Sequence, residues 1–222
     1  MVGPPWRPTG PGGPACHTGR LMNATDAAAP ARETLTRDAV IAATRELIVQ
    51  EGLDAVSLRR VGAALGVTAP ALYAYVTDKR DLMRGVAEFE FDQLIARFES
   101  ITDPDPVARI RQSSRAYIDY ALERPELFKT MFLFPPDLSV AATTGDELPN
   151  ATRAFELSLA AVSEAIERGV FRPVDPVMTG LTIWTATHGC ANVLLLGFAL
   201  DDASRERLIT SVIDTVIAGL SA

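Results

Sequence analysis

The chain has 222 residues, of which 48% are hydrophobic and 22% are charged, and these proportions exclude a disordered or fibrous protein. No apolar stretch reaches the roughly 18 residues needed to span a bilayer, and the N-terminus lacks the basic-then-apolar order of a secretory signal. Since two cysteines form no disulfide framework, we expect a soluble cytoplasmic protein without a membrane partner.

The net charge of −7 at first disfavours a nucleic-acid partner, because affinity for DNA depends on basic side chains that neutralise phosphates. The acidic residues are concentrated late in the chain. Residues 34–84 carry seven basic and six acidic side chains, whereas residues 85–222 carry eleven basic and twenty acidic ones. The N-terminal third can therefore approach a polyanion.

The first 31 residues contain six prolines and five glycines and have no apolar periodicity. Such a composition cannot offset the entropy lost on ordering, so residues 1–33 are predicted to be a disordered tail. Cys16 and His17 are adjacent in this tail and could bind a metal. No second pair of ligands lies nearby, and we therefore expect no metal site.

From Leu35 onward, apolar residues recur with helical spacing, and capping residues with glycine or proline bound each run. The first three predicted helices extend from Thr36 to Gly52, from Ser57 to Gly66, and from Thr68 through Tyr75. A longer helix begins at Asp78. This order predicts a three-helix unit, the head, over residues 34–80.

The remaining residues, 81–222, also have helical periodicity. We expect one helix from Pro104 to the residue before Pro125, a short apolar segment from Leu127 to Phe134, and a loop at residues 137–149. Further helices are predicted at about 150–169, 175–197 and 203–219. Because no alternating strand pattern and no repeat occur, the predicted fold is all-α, with a helical bundle after the head.

The stretch from Ser57 to Lys79 reads SLRRVGAALGVTAPALYAYVTDK, which predicts two short helices joined by a tight turn at Gly66. Small residues around Pro70 make the second helix narrow enough for the major groove of DNA. Proline in a first helical turn costs no ladder hydrogen bond. Groups suited to phosphate oxygens are supplied by Thr68, Tyr73, Tyr75 and Lys79.

This stretch, with its flanks from Leu35 to about Leu94, resembles the DNA-binding domain of the TetR (tetracycline-repressor) family. The recognition helix of that family has a small polar cap, a small residue before Leu-Tyr, then an aromatic residue or His, an apolar residue and a Lys. Here those positions hold Thr68, Ala71, Leu72-Tyr73, Tyr75, Val76 and Lys79. The resemblance covers about 60 residues and implies a helix-turn-helix regulator.

The resemblance assigns roles by position. It implies that Thr68, Tyr73, Tyr75 and Lys79 hold phosphates and that Ala69, Pro70, Ala71 and Ala74 lie against bases. Arg59 matches a position that reaches a base or a phosphate in some members, and its neighbours Arg60 and Ser57 are further candidates. Because the base-facing residues are small and apolar, direct hydrogen-bond readout would depend on Arg59. The two tyrosines could instead be packing residues.

The resemblance also implies that residues 81–222 contain a ligand cavity and a dimer interface. Aromatic residues are concentrated there, and small-molecule pockets are mostly apolar, although each aromatic could equally fill the core. The segments IWTATHGCANVLLLG and RPELFKTMF resemble the Trp-x-x-x-His-Gly subgroup of the family. The candidate ligand-binding residues are Phe91, Phe98, Tyr117, Tyr120, Phe128, Met131, Phe132, Phe155, Trp184 and His188.

By the same resemblance, the last two long helices pair with their copies across a two-fold axis. The apolar residues expected at this dimer interface are Leu181, Leu195, Ile209, Val212, Ile213, Val216 and Leu220. A two-fold dimer would place two recognition helices on a palindromic DNA operator.

The function expected from the sequence is that of a homodimeric repressor, which a small apolar molecule releases from a double-stranded DNA operator. The ligand would act by moving the helix that begins at Asp78. The alternative is a helical protein-interaction adaptor without sequence-specific DNA binding. An enzyme is not expected, because Cys190 faces away from His188 and no P-loop, HExxH or GxGxxG motif occurs. No cofactor is expected.

Overall fold

The structure, a computed structural model, describes residues 35–133 and 148–222. The predicted tail, residues 1–33, and nearly all of the predicted loop at 137–149 lie outside the described residues. Within them, nine α-helices and one short 3₁₀ turn follow one another. The described ranges contain no β-strand, and a single isolated antiparallel bridge joins Phe171 to Ser221. The all-α prediction is confirmed.

The head of the chain contains the first three helices and the start of the fourth. They are α1 (Arg37–Glu51), α2 (Leu58–Ala64), α3 (Ala69–Leu72) and α4 (Lys79–Glu99), with the 3₁₀ turn Leu53–Ala55 between α1 and α2. The later helices are α5 (Pro106–Glu123), α6 (Pro125–Met131), α7 (Pro149–Glu167), α8 (Pro176–Leu195) and α9 (Asp202–Leu220). None of these helices is long and apolar enough to cross a membrane.

Short polar side chains fix where most of these helices begin. The Thr36 hydroxyl accepts a hydrogen bond from the Ala39 amide at 3.1 Å, and the Asp78 carboxylate accepts one from the Asp81 amide at 2.8 Å. Each bond satisfies an amide that has no partner inside its helix. The starts of these two helices therefore follow from local sequence, as predicted.

Helix α3 is shorter than the sequence predicted, since it ends at Leu72 and turns continue to Tyr75. Thr68 precedes it but makes no capping bond with its side chain. The reason is Pro70, which has no amide hydrogen, while the Ala71 amide already donates to the Thr68 carbonyl at 3.0 Å. The Thr68 hydroxyl is consequently left facing outward.

Two hydrophobic cores are built along the chain. The head core joins α1, α2 and α3 to the first turns of α4, through residues such as Val40, Ile48, Val61, Leu72 and Leu82. The bundle core joins the rest of α4 to α5 and to α7–α9. The predicted boundary between residues 80 and 81 falls at the beginning of α4, so this one helix belongs to both cores.

Helix α6 also reaches both cores. Its Leu127 is 2% exposed and packs in the head core, whereas Phe128 and Met131 of the same helix are buried in the bundle core. Because α6 begins directly after α5 ends, α6 links the end of α5 to the head core through Leu127.

Candidate nucleic-acid interface and ligand cavity

The corner between α2 and α3 depends on two glycines. Gly66 has φ +67°, a left-handed conformation that other residues adopt at a cost. Gly62 lies against the turn itself, since a Cβ atom there would lie 2.9 Å from the Val67 carbonyl oxygen and 3.2 Å from the Ala69 nitrogen. These contacts bring the backbone of α3 close to α2.

One side of α3 is anchored and the other is exposed. Leu72 is fully buried in the head core, whereas the Tyr73 side chain is 58% exposed. The other predicted base-facing and phosphate-facing residues of this region that are exposed are Thr68, Pro70, Ala71, Ala74 and Lys79, while Ala69 is half-buried. A tyrosine hydroxyl and an ammonium group therefore flank a small apolar surface.

Three predicted DNA-binding residues also have roles inside the protein. The Ser57 hydroxyl accepts from the Arg60 amide at 3.3 Å and so caps α2. The Arg60 guanidinium forms an ion pair with Glu51. Tyr75 is half-buried against the head core, and its carbonyl accepts from Arg37 at 2.7 Å. Arg59, by contrast, is exposed on α2.

The turn between α3 and α4 is held to α1 by a bidentate ion pair. The Arg37 guanidinium donates to the two carboxylate oxygens of Asp81 at 2.7 and 3.1 Å, and Asp81 also accepts from the Thr77 amide at 2.8 Å. The hydrogen bond from Arg37 is the main reason that the pKa of Asp81 lies below its usual value. The position of Lys79 is thereby fixed relative to α3.

A cavity of about 460 Å³ lies in the bundle between α4, α5, α7 and α8. This volume is within the range of small-molecule sites. Six of the ten predicted ligand-binding residues line it, and these are Phe91, Phe98, Tyr117, Phe132, Phe155 and Trp184. The cavity is thus mostly aromatic and aliphatic.

The other four predicted ligand-binding residues do not line the cavity. Tyr120, Phe128 and Met131 are at most 1% exposed and fill the bundle core. They were indistinguishable from cavity residues in the sequence, because both groups follow the same helical spacing.

His188 lies behind the cavity wall. Its Nδ1 is 2.7 Å from the Tyr117 hydroxyl, and its ring stacks on Trp184 with centroids 5.2 Å apart and meets the edge of Phe132 at 4.5 Å. Burial lowers the pKa of His188 and raises that of Tyr117, so both side chains are uncharged near neutral pH. His188 therefore holds three wall residues in place.

A buried charge cluster, which the sequence did not indicate, joins the head to the bundle. Glu90 of α4 is fully buried, and its carboxylate accepts hydrogen bonds from Arg45 of α1 and from the Tyr120 hydroxyl of α5. Arg124 lies 3.8 Å from the same carboxylate. A charge in such a place is stable only with these partners, so the cluster fixes α1 against α4 and α5.

Three of the seven predicted dimer-interface residues lie inside the protomer. Ile209 and Ile213 are buried in the bundle core, and Leu181 lines the cavity. The others, Leu195, Val212, Val216 and Leu220, are half-buried. The outward apolar surface at α8 and just after it is instead formed by Met178, Val193, Leu196 and Phe198, which are 41–74% exposed.

Two family models match the chain. The model of the bacterial regulatory proteins of the tetR family matches residues 40–86, which contain the helix-turn-helix. The model of the tetracyclin repressor-like C-terminal domain matches residues 110–216. The Trp-x-x-x-His-Gly subgroup remains a prediction, because neither match specifies it.

Known proteins are similar to the chain over different lengths. The uncharacterized HTH-type transcriptional regulator YobS of Bacillus subtilis (strain 168) is 27% identical over 104 residues, 45% of this chain and 52% of that protein. The aligned stretch thus spans about half the length of this relative. A solved structure of a protein with unknown function from Rhodococcus sp. RHA1 is 26% identical with a TM-score of 0.73, covering 87% of this chain and 99% of that one.

A structure of AibR in complex with isovaleryl coenzyme A and operator DNA shares the fold, with a TM-score of 0.57 and 18% identity. The likeness covers 83% of this chain and 97% of that one. The chain thus contains both an N-terminal domain of the TetR family and a tetracyclin repressor-like C-terminal domain.

Proposed function

We propose that the protein is a homodimeric repressor that binds a palindromic DNA operator and is released by a small molecule bound in the bundle cavity. The observation that carries the DNA-binding part is the exposed side of α3. Tyr73 projects beside small residues, Lys79 follows at the start of α4, and Leu72 anchors the helix from behind. This arrangement suits phosphate contacts on both sides of a helix lying in the major groove.

The dimer would form through α8 and α9. The exposed residues Met178, Val193 and Leu196 are large and apolar on a helix that otherwise exposes small residues such as Gly189. A second copy of the chain would remove this area from water. We therefore assign the dimer interface to these exposed residues of the α8 region, and no longer to Ile209 and Ile213, which face inward.

Binding of a ligand in the cavity would affect the head through α4 and α6, since both helices reach the cavity and the head core. Phe91 of α4 lines the cavity, while Leu82 of the same helix is in the head core. Likewise Phe132, just after α6, lines the cavity, and Leu127 is in the head core. A ligand that favours a different position of these helices would change the spacing of the two heads. The complex of AibR with a ligand and operator DNA is a precedent in the same fold.

Selection of DNA fragments from a random pool by the purified full chain tests the proposed function. We expect an inverted repeat whose half-sites are about one helical turn, or a multiple of it, apart. Enrichment of fragments without a repeat would contradict the dimeric regulator. A chain that enriches no sequence would favour the protein-interaction adaptor. The selected fragment then serves to measure release by candidate ligands.

A further inference from the structure

The described residues that line the cavity include no lysine, arginine or histidine. Its single charged side chain is Glu156, which is exposed to solvent. An anionic ligand would lose its hydration inside this cavity without gaining a cationic partner, which is costly for a buried charge. The composition of the wall thus favours uncharged ligands.

Several hydroxyl groups in the cavity wall already donate their hydrogen to a backbone carbonyl. Thr187 donates to the Ile183 carbonyl at 2.8 Å, and Ser113 donates to the Ile110 carbonyl at 3.1 Å. Because each hydroxyl has one hydrogen, the oxygens of these two side chains can offer a ligand only lone pairs. They would accept a hydrogen bond and could not donate one.

Ser114 differs from its neighbour Ser113. It is 6% exposed and lines the cavity, and its hydroxyl has no hydrogen-bond partner within residues 35–133 and 148–222. The hydroxyl is reached from the cavity and makes no bond to the described part of the protein, so it is free to donate to a bound group.

Ser114 and Thr187 lie at the same end of the cavity. Together with Ile110 and Ile183, both also line a smaller void against α9. Thr187 is 5% exposed and Ser114 6%, so both side chains lie mostly inside the protein. One side chain that can donate and one that can only accept are therefore placed together at the buried end of an aromatic cavity.

We propose that the cavity binds an uncharged ligand with an aromatic body and a hydroxyl group, whose hydroxyl accepts from Ser114 and donates to Thr187. A hydroxyl is the smallest group that satisfies both partners at once. Phe91, Phe132 and Trp184 would hold the apolar body. This inference rests on the proposed function only in taking the cavity as the ligand site.

Four probes of one shape test the proposal by isothermal titration calorimetry of the full chain: 2-naphthol, naphthalene, 2-methoxynaphthalene and 2-naphthoate. We expect 2-naphthol to bind about tenfold more tightly than naphthalene and each of the other two. The methoxy compound cannot donate to Thr187, and the carboxylate brings a charge that nothing in the wall neutralises. Equal or tighter binding of 2-naphthoate, or no binding of 2-naphthol, would overturn the proposal.

Matched variants identify which side chains cause the preference for 2-naphthol over naphthalene. Ser114→Ala should reduce the advantage of 2-naphthol over naphthalene to about threefold or less, and Thr187→Val should also reduce it. Ser113→Ala, which removes a wall hydroxyl that does not line the smaller void shared by Ser114 and Thr187, should leave the advantage unchanged. Persistence of the full advantage in Ser114→Ala would contradict the assigned contact, provided that the variant melts cooperatively.

The operator affinity of each variant, measured without any probe, separates this proposal from the proposed function. A wild-type chain that binds its operator but has no preference for 2-naphthol over naphthalene would overturn the ligand class alone. A hydroxyl preference that depends on Ser114 in a chain that binds no operator would support the ligand class while contradicting the repressor.

Discussion

Glu90 is a fully buried carboxylate in a helix that crosses from the head to the bundle. Its partners Arg45 and Tyr120 come from positions 45 residues before it and 30 residues after it. Cation–π contact adds to the cluster, because the Arg45 guanidinium lies 3.9 Å from the centre of the Phe89 ring. Removing the carboxylate would leave a partly buried guanidinium without its counter-charge.

We predict that Glu90→Ala lowers the free energy of unfolding by about 3–5 kcal/mol, the usual effect of breaking a buried ion pair. The control is Glu123→Ala, whose partner Arg97 is on the surface and whose loss should cost at most about 1 kcal/mol. Urea unfolding followed by circular dichroism measures both. Equal destabilisation by the two substitutions would mean that the Glu90 cluster is not a structural anchor.

A second prediction concerns how the stability of the protein depends on pH through His188. Its pKa in the folded protein is lowered by burial from a usual value near 6.5, so the folded state binds fewer protons than the unfolded chain below that pH. The stability associated with neutral His188 is present above about pH 6.5 and is lost as the pH falls toward the lowered pKa. Acidification should therefore destabilise the protein.

Thermal unfolding at pH 7.5 and pH 5.5 checks this expectation. We expect the melting temperature of the wild type to fall more than that of His188→Gln, which has no proton to gain. Because the two proteins differ only at position 188, the difference between their decreases in melting temperature isolates the contribution of His188. Equal decreases in the melting temperatures of the two proteins would contradict a lowered pKa of His188.

Among the elements, the corner between α2 and α3 depends on Gly62. A methyl group at this position would meet the Val67 carbonyl at 2.9 Å, and backbone cannot move aside as a flexible side chain can. We predict that Gly62→Ala displaces α3 and weakens operator binding by about tenfold or more, with a loss of stability of about 1–3 kcal/mol.

The matched control is Gly219→Ala, since an added Cβ at this helical glycine of α9 has open space around it. Its effect on stability should be neutral or favourable by up to about 1 kcal/mol. Operator binding by fluorescence anisotropy and unfolding by urea compare the two variants. A Gly62→Ala protein that binds DNA like the wild type would show that the corner has more space than the structure gives it.

Local sequence predicted the helices well because their boundaries are set by nearby residues. Thr36, Asp78 and the glycines at positions 52 and 66 act within a few residues of themselves. The end of α3 differs from the prediction because the chain continues in tighter turns, in which the Tyr73 amide donates to the Pro70 carbonyl at 3.3 Å and the Tyr75 amide to the Leu72 carbonyl at 2.9 Å. Motif residues such as Tyr73 were recognised by spacing, and the structure exposes them on the head.

The residues that line the cavity and those on the outer face of α8 could be predicted less well from the sequence. Helix α8 is apolar on several sides, and periodicity cannot distinguish a residue that packs inside the protomer from one that meets a partner. Ser114 gave a usable signal, a polar residue on the inward face shared by Ile110 and Tyr117. The partners of Glu90 are distant in the chain, so its burial had no local signal.

At the scale of the whole molecule, the proposed dimer makes a prediction about Leu196, which is 74% exposed just after α8. We expect Leu196→Asp combined with Met178→Asp to produce a monomer of 23.8 kDa in sedimentation velocity, where the wild type has twice that mass. Val49→Asp, at an exposed valine of α1, is the control and should stay dimeric. A wild-type monomer, or a double variant that stays dimeric, would contradict the proposed interface.

The exposed side of α3 is the surface that we propose binds DNA. The most direct test of this proposal is a fluorescence-anisotropy titration of the full chain against its selected operator and a scrambled fragment, with Tyr73→Ala and the control Val49→Ala, at several salt concentrations. We expect tight binding of the operator that weakens as salt rises, at least about tenfold weaker binding by Tyr73→Ala, and wild-type binding by Val49→Ala. Binding that is indifferent to Tyr73, or that does not distinguish the operator from scrambled DNA, would contradict the proposal.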